Sequence, residues 1–143
     1  MSASERSMRR MGRLTAIESA AEDMTERLWW LYRDLSAEGL GTWAANVGQI
    51  IKINALRASA EYARRNSAYF VRSGPQTLDK VEVDRRRREI CAAADQIDIL
   101  AAVVSSGGGD YFQFEKILER LRQFGFWIDT ELVSSVARAF TLA

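Results

Sequence analysis

Residues 14–35 read LTAIESAAEDMTERLWWLYRDL, and this stretch decides the fold class. Its apolar residues recur at steps of three and four along the chain: Leu14, Ile17, Ala21, Met24, Leu28, Leu31 and Leu35. Such spacing lines one face of an α-helix, because a turn takes about 3.6 residues. The stretch therefore predicts an amphipathic helix of about six turns, which Gly39 and Gly41 close.

Capping residues and helix breakers divide the rest of the chain into further helices. The expected N-caps are Thr42, Thr77 and Asp110, and the expected breaks are at Pro75, Gly107 and Gly125. A second helix from about Trp43 to Arg72 is the longest of these. Because short connections favour antiparallel neighbours, we expect an all-α, single-domain bundle of four to five helices, mostly antiparallel. It would cover residues 14–143 and follow a flexible basic N-terminal arm, residues 1–13.

The composition argues against several classes of function. Histidine is absent and Cys91 is the only cysteine, so the commonest general base and the usual zinc ligands are missing. We therefore expect no catalysis, no cofactor and no metal, and an enzyme ranks third among the hypotheses. No run of apolar residues reaches the about 18 needed to span a bilayer, and the N-terminus lacks a secretory pattern. A single cysteine fits a protein of the reducing cytoplasm, and the lack of a long apolar run leads us to expect no membrane partner.

The charges are segregated along the chain although the formal net charge is only +1. Residues 14–39 carry a net charge of −4 and residues 40–75 a net charge of +4. Of the 20 basic residues 17 are arginine, the side chain that binds phosphate in a fork. A GC-rich genome produces the same arginine bias, and the sequence leaves both explanations open.

The second helix gathers basic side chains on one edge. On a helical wheel, four arginines fall within roughly a quarter of the circumference, and two tyrosines border them and could stack on exposed bases. The predicted nucleic-acid-binding residues are Lys52, Arg57, Arg64, Arg65, Arg72, Tyr62 and Tyr69. The alternative is that these cations pair with acids on neighbouring helices.

Two further groups of residues are candidates for binding. A second basic patch would comprise Arg85, Arg86, Arg88, Arg9 and Arg10, although a solvated helix end is the alternative for the run at 85–88. Aromatic residues exceed what one stripe buries, which is typical of protein contacts. The predicted contact residues are Trp29, Trp30, Phe126 and Trp127, and closing an ordinary core is their alternative.

Two segments, INALRASAEYARR at 53–65 and FEKILERLRQFGFW at 114–127, resemble the small helical subunit of CRISPR effector complexes of type III and related systems. The resemblance implies a non-catalytic, sequence-independent nucleic-acid-binding subunit of a ribonucleoprotein assembly. Its partners would be RNA or single-stranded DNA, copies of itself and other subunits, and Arg57, Arg64 and Arg65 would contact the nucleic acid. The alternative is a helical adaptor or self-assembling protein that uses its aromatic residues and binds no nucleic acid.

Overall fold

The computed structural model describes the backbone of residues 25–73 and 79–142, and the side chains of residues 25–67 and 79–142. The described residues form five α-helices and no β-strand: α1 over 25–37, α2 over Gly41–Ser73, α3 over Lys80–Ser105, α4 over Tyr111–Gln123 and α5 over Thr130–Phe140. The predicted all-α class is confirmed. The chain divides into two compact units, Met1–Val47 and Gly48–Ala143. The arm predicted over 1–13 and the first residues of the quoted stretch lie outside the described residues.

The end of α1 follows from the glycine that the sequence places there. Gly39 has a φ of +77°, the left-handed conformation that a residue without Cβ adopts easily. The amide of Leu40 donates to the carbonyl of Leu35 over 2.9 Å, and that of Gly39 donates to Ser36 over 3.2 Å, which together make a Schellman motif. Helix α2 begins directly afterwards, at Gly41. The prediction of Thr42 as its N-cap is therefore wrong, because Thr42 is already inside the first turn.

Helices α2 and α3 run antiparallel in the second unit. Ser67 Oγ lies 3.8 Å from Cys91 Sγ near the end of α2, and the side-chain amide of Gln49 donates to the carbonyl of Val104 over 2.9 Å near the other end of the pair. Residue numbers thus rise along α2 while those of their partners fall along α3. Small buried residues line both helices and leave room for a close approach: Ala60, Ala63, Ala93 and Ala94.

Local side-chain hydrogen bonds set the beginnings of α3 and α4. The Asp79 side chain accepts from the amide of Glu82 over 2.8 Å and caps α3, two residues after the cap expected at Thr77, which lies outside the described residues. Asp110 caps α4 as predicted. Its side chain accepts from the amide of Gln113 over 3.0 Å, and the Gln113 side chain accepts from the amide of Asp110 over 2.9 Å, a reciprocal capping box.

Gly109 makes the turn between α3 and α4 tight. Its φ is +83°, and a Cβ added there would lie 3.1 Å from a methyl of Val104 and 3.2 Å from one of Leu100. The turn therefore needs glycine both for its backbone conformation and for its space. Further along the pair, Arg120 Nη2 lies 3.0 Å from Glu89 Oε2, so α4 runs back along α3.

A second Schellman motif ends α4 and brings one aromatic ring into the core. Gly125 has a φ of +76°, and the amide of Phe126 donates to the carbonyl of Leu121 over 3.0 Å. In this motif the residue after the glycine commonly packs on the helix that it ends, and both Phe126 and Leu121 are buried. Helix α5 then folds back, so that the rings of Tyr111 and Phe140 lie 6.1 Å apart.

The core of the second unit collects residues from all four of its helices. Its largest fully buried members are Phe114, Ile51, Leu56, Ile90, Ile97, Leu121 and Val136. No helix among the described residues combines the length and the apolar character that crossing a membrane requires. The bundle leaves two surfaces of interest, the outer edge of α2 with the adjoining face of α3, and the outer face of α4.

Candidate functional site

The predicted basic edge of α2 carries one uncommitted cation among its described side chains. Arg57 is exposed, and within the described residues no carboxylate pairs with it. Arg65 is 42% exposed and lies 3.6 Å from Glu61, one turn earlier on the same helix. Pairs of this kind contribute little free energy and exchange readily with solvent ions. Among the described side chains of this edge, Arg57 is therefore the cation that is best placed to meet an anionic partner.

Arg64, by contrast, is held by two carboxylates of α3. Its Nη2 atom lies 2.6 Å from Asp95 Oδ1 and also donates to Asp98 Oδ2. The hydrogen bonds to Asp95 and Asp98 raise the pKa of Arg64 above its ordinary value. The guanidinium also occupies the position at which these two carboxylates could have bound a cation. In this structure Arg64 joins α2 to α3, as the alternative interpretation of the basic edge expected.

Two other residues predicted for this edge lie elsewhere on α2. Lys52 is five residues from Arg57, a rotation of roughly 140° around the helix, and its Nζ lies 5.6 Å from the ring centroid of Phe140. Tyr62 is half-buried against the core, with its ring 6.3 Å from that of Phe126. Burial, with a contribution from Asp129, raises the pKa of Tyr62. Both side chains point away from Arg57 around the helix, and the packing of the Tyr62 ring against the core reduces the surface it could offer to a base.

The side chains of the last two residues predicted for this edge, Tyr69 and Arg72, lie outside the described residues. The same holds for Arg9 and Arg10 of the second basic patch. Their predicted roles stay predictions.

The arginine run on α3 is largely paired within its own helix. Glu82 accepts from Arg85 Nη2 over 2.8 Å and from Arg86 Nε over 3.0 Å, and these hydrogen bonds lower the pKa of Glu82 to about 2. Arg88 Nε donates to the carbonyl of Asp84 over 3.3 Å. These contacts match the expectation of a solvated helix end, which is the alternative to a second binding patch.

The four predicted protein-contact residues separate into buried and exposed members. Phe126 is only 2% exposed and belongs to the core, because the Schellman motif turns it inward. Trp127, the next residue, is 65% exposed, and the guanidinium carbon of Arg122 lies 5.2 Å from its ring centroid. In the first unit, Trp29 is half-buried and Trp30 is exposed with Arg33 over its ring. Of the pair Phe126 and Trp127, only Trp127 is placed to meet a partner.

The structure also exposes apolar residues on α3 that the sequence reasoning missed. Ile99 is 63% exposed and Val103, one turn later, is 39% exposed. Both lie opposite the stripe that packs into the core, which includes Ile97 and Val104. The signal was present in the run IDILAAVV at 97–104, which is apolar on both sides of the helix. A helix that is apolar all round is typical of one covered on both sides.

Exposed residues lie on the outward sides of the adjoining helices α2 and α3, here called the α2–α3 face and defined by Ile50, Arg57, Ile99 and Val103. Ile50, Arg57 and Arg64 follow one another at seven-residue steps, which is about two turns, so they share one side of α2. On α3, Asp95 precedes Ile99 by about one turn. The ion pair of Arg64 with Asp95 therefore places the exposed sides of the two helices next to each other.

A shallow groove lies on the outer surface of α4 and α5. It has a volume of about 290 Å³, and its walls are Tyr111, Phe112, Glu115, Lys116, Leu118, Glu119, Arg122 and Val133. Phe112 is 60% exposed with Lys116 Nζ 4.8 Å from its ring centroid. The acids and bases of the groove balance in charge, so it favours neither an anionic nor a cationic ligand.

Comparisons with protein-family models, with curated proteins and with solved structures find no match to this chain. The resemblance to the small subunit of CRISPR effector complexes therefore stays a prediction.

Proposed function

We propose that this protein is a non-catalytic helical assembly protein, which associates with other copies of itself through the α2–α3 face. The observation that carries the proposal is the exposure of Ile99, which is 63%, in the middle of a helix whose opposite side forms the core. Leaving apolar area in water costs about 25 cal/mol per Å². Covering Ile99 and Val103 in an assembly recovers that free energy.

The charged groups around this face are arranged as at the margin of a protein–protein interface. The Arg64 bridge holds α2 and α3 together beside Ile99 through Asp95 and Asp98, so the surface is organised before binding. Rigid surfaces lose less conformational entropy when they associate. Arg57, at the margin, adds one cation that an acidic partner residue can meet. An apolar centre with a charged margin is the usual construction of a protein interface.

Static light scattering across protein concentration tests the proposal. Wild-type mass should rise with concentration and should not respond to added oligonucleotides. Ile99→Ser should weaken association about tenfold, since it removes most of the apolar contact of an isoleucine. Val81→Ser is the matched control, because Val81 is 75% exposed in the first turn of the same helix and lies apart from the face. A wild-type protein that stays monomeric at every concentration would contradict the proposal.

The second candidate function is a sequence-independent nucleic-acid-binding subunit of a ribonucleoprotein assembly, and exposed Arg57 favours it. With Arg64 held by α3, Arg57 and Arg65 are the two remaining described cations of the edge, and Arg65 would have to exchange its present contacts for a phosphate. Two contacts give a slope of about −1.4 for log affinity against log salt on single strands. Affinity would then fall about sevenfold between 50 and 200 mM salt.

Fluorescence anisotropy with a labelled single-stranded RNA measures that slope. Arg57→Glu should abolish binding, whereas Arg87→Glu, the same change at an exposed position of α3, should leave it nearly intact. RNA binding that Arg57→Glu does not weaken would rule out this candidate at the described edge.

A further inference from the structure

The outer side of α4 carries four exposed charges of alternating sign. In chain order they are Glu115, Lys116, Glu119 and Arg122, and all four lie in the second compact unit. Glu115 and Glu119 are four residues apart, a spacing at which like charges destabilise a helix. Read in the opposite direction, the order begins with a base and ends with an acid. An antiparallel copy of this helix therefore presents the complementary order of charges.

The charges of this surface are not neutralised by their neighbours in the same copy. Within the part of the chain that the structure describes, no ion pair joins any of the four to an opposite charge. The two bases lie over aromatic rings instead. Lys116 Nζ is 4.8 Å from the ring centroid of Phe112, and the guanidinium carbon of Arg122 is 5.2 Å from that of Trp127. The acids and bases are thus open to a partner that carries the opposite charges.

We infer that the outer side of α4 binds the same side of a second copy, with the two helices antiparallel about a two-fold axis. This surface is here called the α4 face and is defined by Phe112, Glu115, Lys116, Glu119 and Arg122. The contact is additional to the one proposed at the α2–α3 face and does not require it. Two acids and two bases give the α4 face no net charge, which suits a copy of itself better than a strongly charged ligand. Two-fold dimers are also the commonest closed assembly.

Two separate ion pairs place the two-fold axis at nearly the same level of α4. Glu115 meets Arg122 of the second copy when the axis passes midway between residues 118 and 119. Lys116 meets Glu119 of the second copy when it passes midway between residues 117 and 118. The two levels differ by one residue, a rise of about 1.5 Å, which long side chains can absorb. Glu115 and Arg122 also lie on the same flank of α4, because seven residues are about two turns, and an antiparallel two-fold pair brings matching flanks together.

Exposed aromatic rings lie near both ends of the α4 face. Phe112, in the first turn of α4, is 60% exposed, and Trp127, just after its end, is 65% exposed. Antiparallel pairing brings the end of one copy that carries Phe112 towards the end of the other that carries Trp127, and such rings are typical of binding hot spots. The 13 residues of α4 form a face about 20 Å long and 10 Å wide. This is well below the about 800 Å² per partner of a standard interface, so the contact should be weak and depend on protein concentration.

Charge reversal at Glu115 and Arg122 tests both the pairing and its direction. Every variant is made in the Ile99→Glu protein, which lacks the apolar centre of the α2–α3 face and so isolates the α4 contact. Arg87→Glu, at an exposed position of α3, is the control. Glu115 and Arg122 are exposed, so the folded state should tolerate the reversals, and circular dichroism checks this.

A second pair of positions keeps the test available if either reversal lowers the helicity. Lys116→Glu and Glu119→Lys then replace the first pair, because these two residues are also expected to meet across the axis. The same pattern of results is expected from them.

Sedimentation velocity over a series of concentrations measures the result. The Ile99→Glu protein and its Arg87→Glu control should form a dimer and no larger species. Glu115→Arg alone and Arg122→Glu alone should each weaken this dimer about tenfold, because each reversal sets like charges opposite each other at two symmetric places. Both changes in one chain should restore the dimer, and so should an equimolar mixture of the two single variants. In either case each reversed acid again meets a reversed base or an original charge of opposite sign.

Other results would overturn the inference in identifiable ways. A double variant and a mixture that associate as weakly as the single variants would exclude antiparallel self-pairing, and so would an Ile99→Glu protein that stays monomeric at every concentration. Association that Ile99→Glu abolishes and the charge reversals in the wild-type background leave unchanged would remove this inference and leave the proposed function standing. Association that Ile99→Glu leaves unchanged and charge reversal abolishes would remove the proposed function alone.

Discussion

The ion-pair cluster of Arg64 with Asp95 and Asp98 gives the clearest test of how α2 is held against α3. Arg64→Met keeps an apolar stem of similar length and removes the guanidinium. It leaves two carboxylates about one turn apart on α3 without their shared cation, and like charges at that spacing repel weakly. The variant should therefore be less stable than the wild type.

The exposure of the three side chains sets the magnitude. Arg64 is 34% exposed, Asp98 38% and Asp95 66%. Exposed pairs contribute between about 0.2 and 1 kcal/mol, so the less exposed Asp98 should couple to Arg64 by about 1 kcal/mol and Asp95 by about 0.5 kcal/mol. Arg64→Met should lower the free energy of unfolding by about 1.5 kcal/mol.

Urea denaturation of a double-mutant cycle measures each coupling energy separately. The cycle combines Arg64→Met with Asp95→Asn and, in a second set, with Asp98→Asn. Arg57→Met is the matched control, since it makes the same change two turns earlier at a cation without a described carboxylate partner. Its effect should stay below about 0.5 kcal/mol.

Coupling energies near zero for both aspartates would refute this reasoning. Arg64 would then not hold α2 against α3, and it would join Arg57 as a cation available to the anionic partner of the second candidate function. A larger coupling energy for Asp95 than for Asp98 would show that side-chain exposure does not determine which of the two ion pairs is stronger.

Three further predictions concern the core, a helix cap and pH. Phe114→Ala should lower the free energy of unfolding in urea by about 3–5 kcal/mol, because its ring is fully buried. Phe112→Ala, at an exposed position of the same helix, should lower it by less than about 1 kcal/mol. Equal losses of stability in the two variants would contradict the assignment of Phe114 to the core. Asp110→Ala should lower the free energy of unfolding by about 1 kcal/mol, and Asp110→Asn by much less, because asparagine can still accept the capping hydrogen bond. Thermal unfolding measures both. Equal losses in the two variants would mean that this hydrogen bond does not stabilise α4. The pKa of Glu82 falls from its ordinary 4.5 to about 2 on folding, so its stabilising effect is present above pH 4.5 and is lost as the pH drops towards 2. Glu82→Gln should therefore lose less stability than wild type in acid titrations over that window, and parallel curves would refute the assignment.

The ends of the helices could be read from the sequence because they depend on local chemistry. Gly39 and Gly125 adopt left-handed conformations that favour glycine, and Asp110 caps α4 through a partner three residues away. Thr42 failed as a cap because the helix begins at Gly41, two residues before the expected Trp43, so that Leu40 supplies the first accepting carbonyl. Shifts of one or two residues at a helix end are common, and here the backbone geometry of the preceding turn sets the start.

The candidate site depended more on contacts between distant residues. Arg64 pairs with acids that are 31 and 34 residues away, and a helical wheel cannot say which neighbour faces it. Lys52 could have been separated from Arg57 by the wheel alone, since it lies on the opposite side of α2. The α2–α3 face also had a sequence signal, the run 97–104 that is apolar on both sides.

The most direct measurement is a photo-crosslink from position 99. A photoreactive phenylalanine analogue replaces Ile99, isotope-labelled and unlabelled copies are mixed, and the crosslinked peptides are sequenced by mass spectrometry. A crosslink from position 99 of one copy to a residue of another copy is the expected result. Crosslinks confined to a single copy would contradict the proposed association of copies through the α2–α3 face.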